Sequence, residues 1–258
     1  MTTWVLLRGL TRECRHWGEF PAMLGQALPD ARIVPVDLPG NGRLNRLTSP
    51  MRVEAFADAV RDELARQRVA PPYHVLAMSL GAMVAVAWAA AHPDEVDGTV
   101  LINTSLRPFS PMFRRLRPAN YPLLLRLACD RDADRRERTI LQLTSGRPAA
   151  VEPVLASWAA IRHERPVSGV NALRQLVAAA RYRAPPATPP VPVLLLAGRR
   201  DQLVSPSCSR DLARRWHCAL AEHPDAGHDL PLDDPGWVAR QIRAWVDVRS
   251  QPLDVASG

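Results

Sequence analysis

The sequence predicts an α/β protein in which a mainly parallel sheet is covered by helices on both faces. Short apolar segments alternate with helix-like segments over residues 1–104 and again over 191–250. Buried parallel strands are apolar along their whole length because helices cover both of their faces. Residues 105–190 show successive helical patterns instead. We therefore predict an α/β core of 1–104 and 191–250, an inserted helical cap of 105–190 and a tail of 251–258.

The predicted elements of the core follow from apolar runs, apolar spacing and turn residues. Strands are expected at residues 3–8, 31–37, 73–76, 98–103, 191–197 and 217–222. Core helices are expected at 15–28, around 53–64, and at 82–91, 206–216 and 235–248. In the second helix the apolar residues Val53, Phe56, Val60 and Leu64 recur every three or four positions, which indicates one buried face. The third helix is small and apolar throughout, and Pro93 ends it.

The net charge of +7 comes from the predicted cap. All 33 basic residues are arginine, and residues 105–185 contain 15 arginines but 6 acidic residues. The remaining chain carries a small acidic excess. Because the arginines are interleaved with acids and the chain has three tyrosines and four phenylalanines, it lacks the stacking surfaces of a nucleic-acid-binding protein.

The sequence also limits the cellular location that we expect. No uninterrupted apolar stretch is long enough to span a membrane, and the chain enters its first predicted strand without a basic leader segment. The four cysteines, Cys14, Cys129, Cys208 and Cys218, have no paired spacing. We therefore expect free thiols in a reducing cytoplasm, with neither a disulfide framework nor a zinc site.

A candidate nucleophile lies in the segment Ala77–Gly81 (Ala-Met-Ser-Leu-Gly), between the third strand and its helix. A serine at a sharp strand-to-helix turn, with small residues two positions before and after it, is typical of a nucleophile elbow. Gly81 meets this requirement, and Ala77 adds one methyl group to the usual glycine. The alternative is an ordinary serine cap at a helix N-terminus. In an elbow, the Ser79 hydroxyl lies beside the Leu80 amide and the positive end of the helix dipole.

The general base and the acid that a nucleophilic serine needs follow later in the chain. Asp201 comes just after the predicted strand at 191–197, and His228 lies in the turn-rich segment 223–228. The base accepts the serine proton, and the acid holds the base in the reactive tautomer. The chain order Ser79, Asp201, His228 differs from the orders in chymotrypsin and subtilisin.

With these residues in place, the chain resembles the α/β-hydrolase superfamily, in its small esterase and acyl-transfer branch. Asp37–Gly42 (Asp-Leu-Pro-Gly-Asn-Gly) matches the Asp-x-Pro-Gly-x-Gly loop of that family. Gly198–Pro206 matches its acid loop, and Ala226–Pro231 matches its histidine loop. The resemblance covers roughly residues 1–104 and 191–248, whereas the cap sequence matches little specifically.

The resemblance implies the α/β-hydrolase fold and a serine hydrolase that cleaves carboxylic esters through an acyl-enzyme. Ser79, Asp201 and His228 would form the catalytic triad, and the amides of Leu10 and Leu80 would form the oxyanion hole. No metal or organic cofactor is implied. Epoxide hydrolases and dehalogenases of this fold need a carboxylate nucleophile, so Ser79 excludes them, whereas perhydrolysis would use the same residues and stays open.

The sequence departs from the family at the residue after the first strand. The usual His-Gly is replaced by Arg8-Gly9. Gly9 still permits the tight turn that presents the Leu10 amide. We expect the loss of the histidine to alter the packing of the loop more than its chemistry.

Other polar residues near the candidate triad receive structural assignments. His223 precedes a proline at a strand end, which favours a structural role, and Asp225 and Asp229 are expected to be solvated. His16 and His163 are candidates for lining the cleft, although no motif supports them.

The cap is expected to provide the substrate pocket. Its candidate lining residues are Phe109, Phe113 and Trp158, to which Met78 adds a side chain beside the nucleophile. For Met78, packing in the core is an equally good alternative.

Four arginines of the cap, Arg114, Arg115, Arg117 and Arg126, provide a candidate basic docking face. Such a face would attract an acidic partner such as acyl carrier protein. The overall layout is similar to that of the pimeloyl-[acyl carrier protein] methyl ester esterases. The alternative is that these arginines are solvated and paired with nearby acids.

The sequence therefore predicts a carboxylic ester hydrolase that acts on small-molecule esters. A thioesterase or a carrier-protein esterase is the first alternative, and a non-catalytic binding protein is disfavoured by the complete triad.

Overall fold

The computed structural model describes residues 2–130 and 132–250, so the predicted tail of 251–258 lies outside the described residues. Six parallel strands form one sheet in the order β2-β1-β3-β4-β5-β6. The strands are β1 Thr2–Leu7, β2 Ala31–Val36, β3 Tyr73–Met78, β4 Val96–Ile102, β5 Val193–Gly198 and β6 Ala219–His223. The predicted fold class, a parallel sheet flanked by helices, is confirmed.

Helices occupy most of the remaining chain. Those of the first half of the core are α1 Phe20–Ala27, α2 Val53–Arg66 and α3 Leu80–Ala91. The helices between β4 and β5 are α4 Met112–Arg115, α5 Tyr121–Cys129, α6 Ala133–Thr144, α7 Glu152–Glu164 and α8 Gly169–Arg181. Those that follow β5 are α9 Ser207–Trp216, α10 Leu230–Asp233 and α11 Pro235–Ser250.

Two hydrophobic cores lie on the two faces of the sheet. One includes side chains of α2, α3 and α9, and the fully buried Trp88 lies within it. The other includes side chains of α1 and α11, together with Trp4 of β1. Strands β3 and β5 are buried along almost their entire length, which explains their continuous apolar sequences.

One predicted helix is shorter than the sequence indicated. Residues 15–28 do not form a single helix, because a 3-10 turn at Cys14–Trp17 precedes α1, which begins at Phe20. Pro21 lies in the first turn of α1, where its missing N–H costs no helical hydrogen bond. The proline therefore lies at the start of α1.

The helical segment between β4 and β5, which contains α4 to α8, includes a small apolar cluster of Leu141, Val151 and Trp158. Leu232 of α10 packs against this cluster, so the helical segment is joined to the core near the end of the chain. The parallel arrangement places the carboxyl ends of all six strands at one edge of the sheet. Ligands of open α/β sheets bind at this edge.

Candidate active site

Ser79 occupies the sharp turn between β3 and α3 in a strained backbone conformation. Its φ is +54° and its ψ is −117°, in a region that residues with a Cβ rarely adopt. A Cβ added to Gly81 would lie 2.6 Å from the backbone oxygens of both Leu7 and Arg8. A side chain at position 81 is therefore excluded, because the end of β1 packs directly against the turn. The backbone of Ser79 has the geometry expected of a nucleophile elbow.

His228 and Asp201 are joined by a buried hydrogen bond of 2.7 Å between Nδ1 and Oδ2. Both side chains are almost inaccessible to solvent, with relative exposures of 4% and 2%. The other carboxylate oxygen of Asp201 accepts hydrogen bonds from the backbone N–H groups of Leu203 and Val204. The loop after β5 thus fixes the carboxylate, which leaves His228 Nε2 as the ring nitrogen available to a substrate or nucleophile.

The pKa of His228 is raised above its ordinary value. Burial lowers this pKa, but three effects together outweigh it: charge attraction to Asp201, the hydrogen bond that the ring donates to that carboxylate, and the charge of Asp229. The nearby guanidinium of Arg8 acts in the opposite direction. The imidazole is therefore better able to accept a proton than an isolated buried histidine.

Asn103, at the end of β4, joins the loops that carry the candidate base and acid. Its side-chain N–H group donates hydrogen bonds to the backbone oxygens of Gly227 and His228, at 2.9 and 2.8 Å. Its side-chain oxygen accepts a hydrogen bond from the Gly198 N–H. Asn103 was not among the site residues predicted from the sequence. A lone polar residue at a strand end was the available signal.

Ser79 is attached to the same part of the sheet edge. Its backbone N–H donates a hydrogen bond to Ile102, the residue before Asn103. Among the described residues, the Ser79 hydroxyl forms no hydrogen bond to the His228 ring, which is bonded to Asp201 through Nδ1. Such a bond is often long in free enzymes and shortens when substrate binds. The structure thus brings the candidate base and acid into contact and attaches the candidate nucleophile to the strand beside them.

The two amides predicted to bind an oxyanion border Ser79. Leu80 is the first residue of α3, where helical N–H groups have no intrahelical acceptor. A Cβ added to Gly9 would lie 3.1 Å from Ser79 Cβ, so the turn that leads into Leu10 adjoins the nucleophile. Within residues 2–130 and 132–250, neither the Leu10 nor the Leu80 amide donates to another backbone oxygen across a turn or loop.

Asp229 is buried, which corrects the expectation that it is solvated. Its carboxylate accepts two hydrogen bonds from the guanidinium of Arg8, at 3.1 and 2.5 Å, and both residues are 2% exposed. Asp225, by contrast, is partly exposed and pairs with Arg200. Arg8 also has more than the packing role that we expected, because its charge acts on the pKa of His228.

The loop that carries His228 is packed against the helical segment. A Cβ added to Gly227 would lie 2.5 Å from the Gly146 N–H nitrogen and 2.7 Å from the Thr144 backbone oxygen. Asp233 accepts hydrogen bonds from the backbone N–H groups of both Gly146 and Gly227. Close backbone contact therefore explains the glycine at 227. His223 has the structural role that we expected, since its Nδ1 accepts hydrogen bonds from two backbone N–H groups of the same loop.

The predicted pocket residues occupy different environments. Trp158 is buried at the junction of α7 with the turn after β1, where its ring is near Arg8, Arg12 and His16. Phe109 packs against Trp216, at the edge of one hydrophobic core. The pocket assignments of Phe113 and Met78 change. Phe113 is 58% exposed because the short helix α4 directs it outward, so it does not line a buried pocket. Met78 is 3% exposed and packs in the second core, as in the alternative assignment.

The four candidate docking arginines do not form a single surface. Arg115 is buried and donates to the backbone oxygen of Ala179, which removes it from any docking face. Arg114 is exposed and lies 3.4 Å from Asp211. Arg126 is exposed, and Arg117 is partly exposed.

The described residues contain no group of three or more His, Cys, Asp or Glu side chains that could hold a metal ion. The four cysteines are free, and Cys208 is buried. In the part of the chain that the structure describes, none of the helices has both the length and the apolar character needed to cross a membrane.

A parallel sheet with a strained serine after β3, an acid after β5 and a histidine after β6 defines the α/β-hydrolase class. The family model for the alpha/beta hydrolase family matches residues 4–241, so the chain belongs to this family. The resemblance inferred from the sequence is confirmed.

Known relatives agree with this assignment. A pimeloyl-[acyl-carrier protein] methyl ester esterase from Chromobacterium violaceum is 39% identical over 92 residues, which are 36% of this chain and 34% of that protein. The chain therefore matches about a third of the length of this curated relative. An esterase from Thermogutta terrifontis has the same fold, with a TM-score of 0.75 and 20% identity over 96% of this chain and 90% of that one. A 2-hydroxy-6-oxo-6-phenylhexa-2,4-dienoate hydrolase from Rhodococcus sp. also has this fold, with a TM-score of 0.72. The two chains are 19% identical, and the comparison covers 96% of this chain and 91% of that one.

Proposed function

We propose that this protein is a serine hydrolase that cleaves carboxylic esters, with Ser79 as nucleophile, His228 as general base and Asp201 as the acid that orients the base. The buried 2.7 Å hydrogen bond between His228 and Asp201 carries the proposal. It explains why an ionisable ring and a carboxylate are buried together at the ligand-binding edge of the sheet. The strained backbone at Ser79 supports the proposal, because such strain persists at functional sites.

The reaction follows from the roles of these groups. Ser79 Oγ attacks the ester carbonyl carbon as His228 Nε2 takes the hydroxyl proton, and the carbonyl oxygen becomes an oxyanion. The N–H groups of Leu10 and Leu80 stabilise that oxyanion. The tetrahedral intermediate then expels the alcohol, which receives the proton from His228. A water molecule, deprotonated by the same imidazole, attacks the acyl-enzyme and releases the acid and Ser79.

Hydrolysis of a panel of nitrophenyl esters of increasing chain length tests this function. Ser79→Ala and His228→Ala should each reduce kcat by about 10³-fold or more. The nucleophile and its base act as one unit, so removing either residue abolishes most of the rate enhancement of both. Ser205→Ala is a matched control, because Ser205 lies in a loop after β5 and, among the residues that the structure describes, its side chain bonds to the Ser207 hydroxyl alone. Activity close to wild type in either Ser79→Ala or His228→Ala would contradict the proposal.

Esters carried by an acyl carrier protein are the second candidate substrate class, with thioesters as a variant of it. The curated relative is named for such an ester. The exposed surface of α4 and α5 also combines arginines with apolar side chains that an acidic, apolar partner would cover, namely Met112, Phe113, Tyr121 and Leu125.

Charge reversal separates the two candidates. Arg117→Glu and Arg126→Glu should raise KM for a carrier-bound methyl ester and leave KM for a nitrophenyl ester unchanged. Arg52→Glu is the matched control, because Arg52 directly precedes α2 and its side chain is 78% exposed. Equal kinetics of all three variants with the carrier-bound ester would exclude this docking surface.

A further inference from the structure

The turn that follows β1 carries the Leu10 amide and has an unfavourable backbone conformation. The Arg12 N–H donates a hydrogen bond of 3.2 Å to the Gly9 backbone oxygen, which closes the turn. Thr11, at the third position of this turn, has a φ of +57°, whereas the φ of Leu10 is not positive. This is the pattern of a type II turn, in which glycine is usual at the third position. A β-branched residue with a positive φ is strained, so other contacts must hold it there.

Gln175 of α8 provides one of these contacts. Its side-chain oxygen accepts a hydrogen bond of 2.8 Å from the Thr11 N–H. Its side-chain nitrogen donates to Asn41 Oδ1, at 2.7 Å, and to Ser49 Oγ, at 3.1 Å. Since a backbone N–H can only donate, the amide oxygen of Gln175 must face Thr11. The side chain is fully buried, and its three hydrogen bonds fix its orientation.

Asn41 extends the same hydrogen-bonded chain to the end of the turn. Its side-chain nitrogen donates a hydrogen bond of 2.9 Å to the Arg12 backbone oxygen, and its side-chain oxygen accepts from Gln175. Asn41 is also fully buried. The Thr11 N–H belongs to the Leu10–Thr11 peptide, whose orientation distinguishes a type II turn from a type I turn. Gln175 and Asn41 together therefore fix the backbone on the carboxyl side of Leu10.

The turn lies against the proposed nucleophile. A Cβ added to Gly9 would be 3.1 Å from Ser79 Cβ and 3.7 Å from Ser79 Oγ. The Leu10 N–H belongs to the Gly9–Leu10 peptide, so its position relative to Ser79 depends on the conformation of the turn. A misplacement of about 1 Å can cost a reaction about 10²-fold in rate. Contacts that hold Thr11 therefore bear on the proposed oxyanion donor.

The attachment of α8 to the core does not depend on Gln175 alone. One helical turn earlier, the Asn171 side chain accepts a hydrogen bond of 2.9 Å from the Ser49 N–H and donates one of 3.0 Å to the Leu47 backbone oxygen. Asn171 is also buried. In the part of the chain that the structure describes, its side chain bonds to residues 45–49 and not to the turn after β1. The two side-chain amides of α8 thus differ in whether they contact that turn.

We propose that Gln175 is a positioning residue of the oxyanion hole. Through Thr11, it holds the Leu10 amide where negative charge develops on the substrate oxygen. Such a donor acts mainly on the transition state, because its hydrogen bond strengthens as the charge forms. The proposal rests on the proposed ester hydrolysis, since it assigns a further residue to that same reaction.

Gln175→Met tests this role, because methionine keeps the side-chain length and removes all three hydrogen bonds. With a nitrophenyl ester, kcat should fall by about 10- to 10²-fold, while KM changes by less than about twofold. A trifluoromethyl ketone forms a serine adduct that carries an oxyanion. Its inhibition constant should rise in proportion to the loss of kcat/KM. Asn171→Leu is the matched control, and it should leave both kcat and this inhibition constant close to wild type.

A rescue experiment separates positioning from general packing of α8. Glycine adopts a positive φ without strain. Thr11→Gly in the Gln175→Met background should therefore restore most of the lost kcat, because the turn then keeps its conformation with less support. A loss caused by poor packing of α8 would not be restored by a change at Thr11, so a double variant no faster than Gln175→Met would overturn the proposal.

The remaining outcomes separate this proposal from the proposed function. A kcat for Gln175→Met equal to that of Asn171→Leu, or a change confined to KM, would overturn the positioning role while ester hydrolysis by Ser79 stands. If Gln175→Met does not fold, Asn41→Ala takes its place, and kcat should fall by about tenfold with KM unchanged. An unchanged kcat in Asn41→Ala would then overturn the proposal. Ester hydrolysis itself is refuted separately, by wild-type activity in Ser79→Ala.

Discussion

Arg8 and Asp229 form a buried ion pair that joins the turn after β1 to the residue beside His228. Two hydrogen bonds connect the side chains, although 221 positions separate them in the sequence. The pair contributes opposite charges near the candidate base, of which Asp229 raises and Arg8 lowers the pKa of His228. The residue that replaces the usual histidine of the family thus acts on the charge of the active site as well as on its packing.

Removal of the Asp229 charge should shift the acid limb of the pH profile to lower pH. The proposed base is active when unprotonated, so kcat/KM rises as the pH increases through the pKa of His228, which lies above its ordinary value. Asp229→Asn removes a charge that raises this pKa and leaves the Arg8 charge that lowers it. The measurement is kcat/KM for a neutral ester between pH 5 and pH 9.

Asp225→Asn is the matched control for that shift, because Asp225 is in the same loop and pairs with the exposed Arg200. Its acid limb should coincide with that of the wild type. An Asp229→Asn limb at the wild-type position or above it would show that this charge does not act on the base. Circular dichroism should accompany the measurement, since an unpaired buried arginine destabilises a protein by about 3–5 kcal/mol.

Loss of the Asp201 carboxylate should reduce kcat strongly without abolishing substrate binding. Asp201→Asn retains a similar shape, but the amide no longer holds the His228 tautomer or stabilises its protonated form. We expect kcat to fall by about 10³- to 10⁴-fold, as for the equivalent change in other Ser-His-Asp enzymes, with KM changed little. Steady-state kinetics at pH 8 measure both parameters. A decrease of less than tenfold in kcat would rule out Asp201 as the orienting acid.

Local sequence motifs were sufficient to predict the fold class, the strand positions and the contact between His228 and Asp201. Each of these depends on a few neighbouring residues, such as the small residues around Ser79 or a polar residue directly after an apolar strand. Helices α4 to α8 do lie between β4 and β5. That residues 105–190 form a separate cap stays a prediction.

Contacts between distant residues were not predictable in the same way. Asp229 was assigned to the solvent because nothing in its own loop indicates a partner at Arg8. Phe113 and Arg115 were assigned to a pocket and to a docking face, respectively. They belong to a helix of four residues, which is too short for apolar spacing to indicate its buried side. Gly227 lies against the backbone of Gly146, a contact that its own turn-rich segment does not indicate.

Asn103 should be important for stability as well as for activity. Its side chain forms three buried hydrogen bonds, and its backbone φ of +46° favours asparagine over most residues. Asn103→Ala should lower the free energy of unfolding by about 2–4 kcal/mol, because buried backbone groups lose their partners. Urea denaturation gives this quantity. Asn45→Ala, which removes one hydrogen bond of 3.4 Å, should cost less than about 1 kcal/mol. Equal losses in the two variants would contradict the assigned role.

A methyl group at position 227 should displace the loop that carries His228. The added Cβ would meet backbone atoms of the helical segment, which cannot move aside as a flexible side chain can. Gly227→Ala should therefore lower the Tm by several degrees, corresponding to about 1–3 kcal/mol, and reduce kcat. Gly169→Ala is the control, because its Cβ would meet no atom within 4 Å and alanine favours a helix. A Tm for Gly227→Ala equal to that of the control would refute this packing.

Covalent labelling of Ser79 is the most direct measurement of the proposed chemistry. A fluorophosphonate reacts with a serine hydroxyl when a neighbouring base removes its proton and nearby N–H groups stabilise the developing negative charge. We predict one adduct per chain, located at Ser79 by peptide mass spectrometry. Its formation should cease in His228→Ala and should parallel the loss of ester hydrolysis. A protein that hydrolyses esters while Ser79 stays unlabelled, or that is labelled equally fast without the imidazole of His228, would contradict the assignment of this serine and histidine.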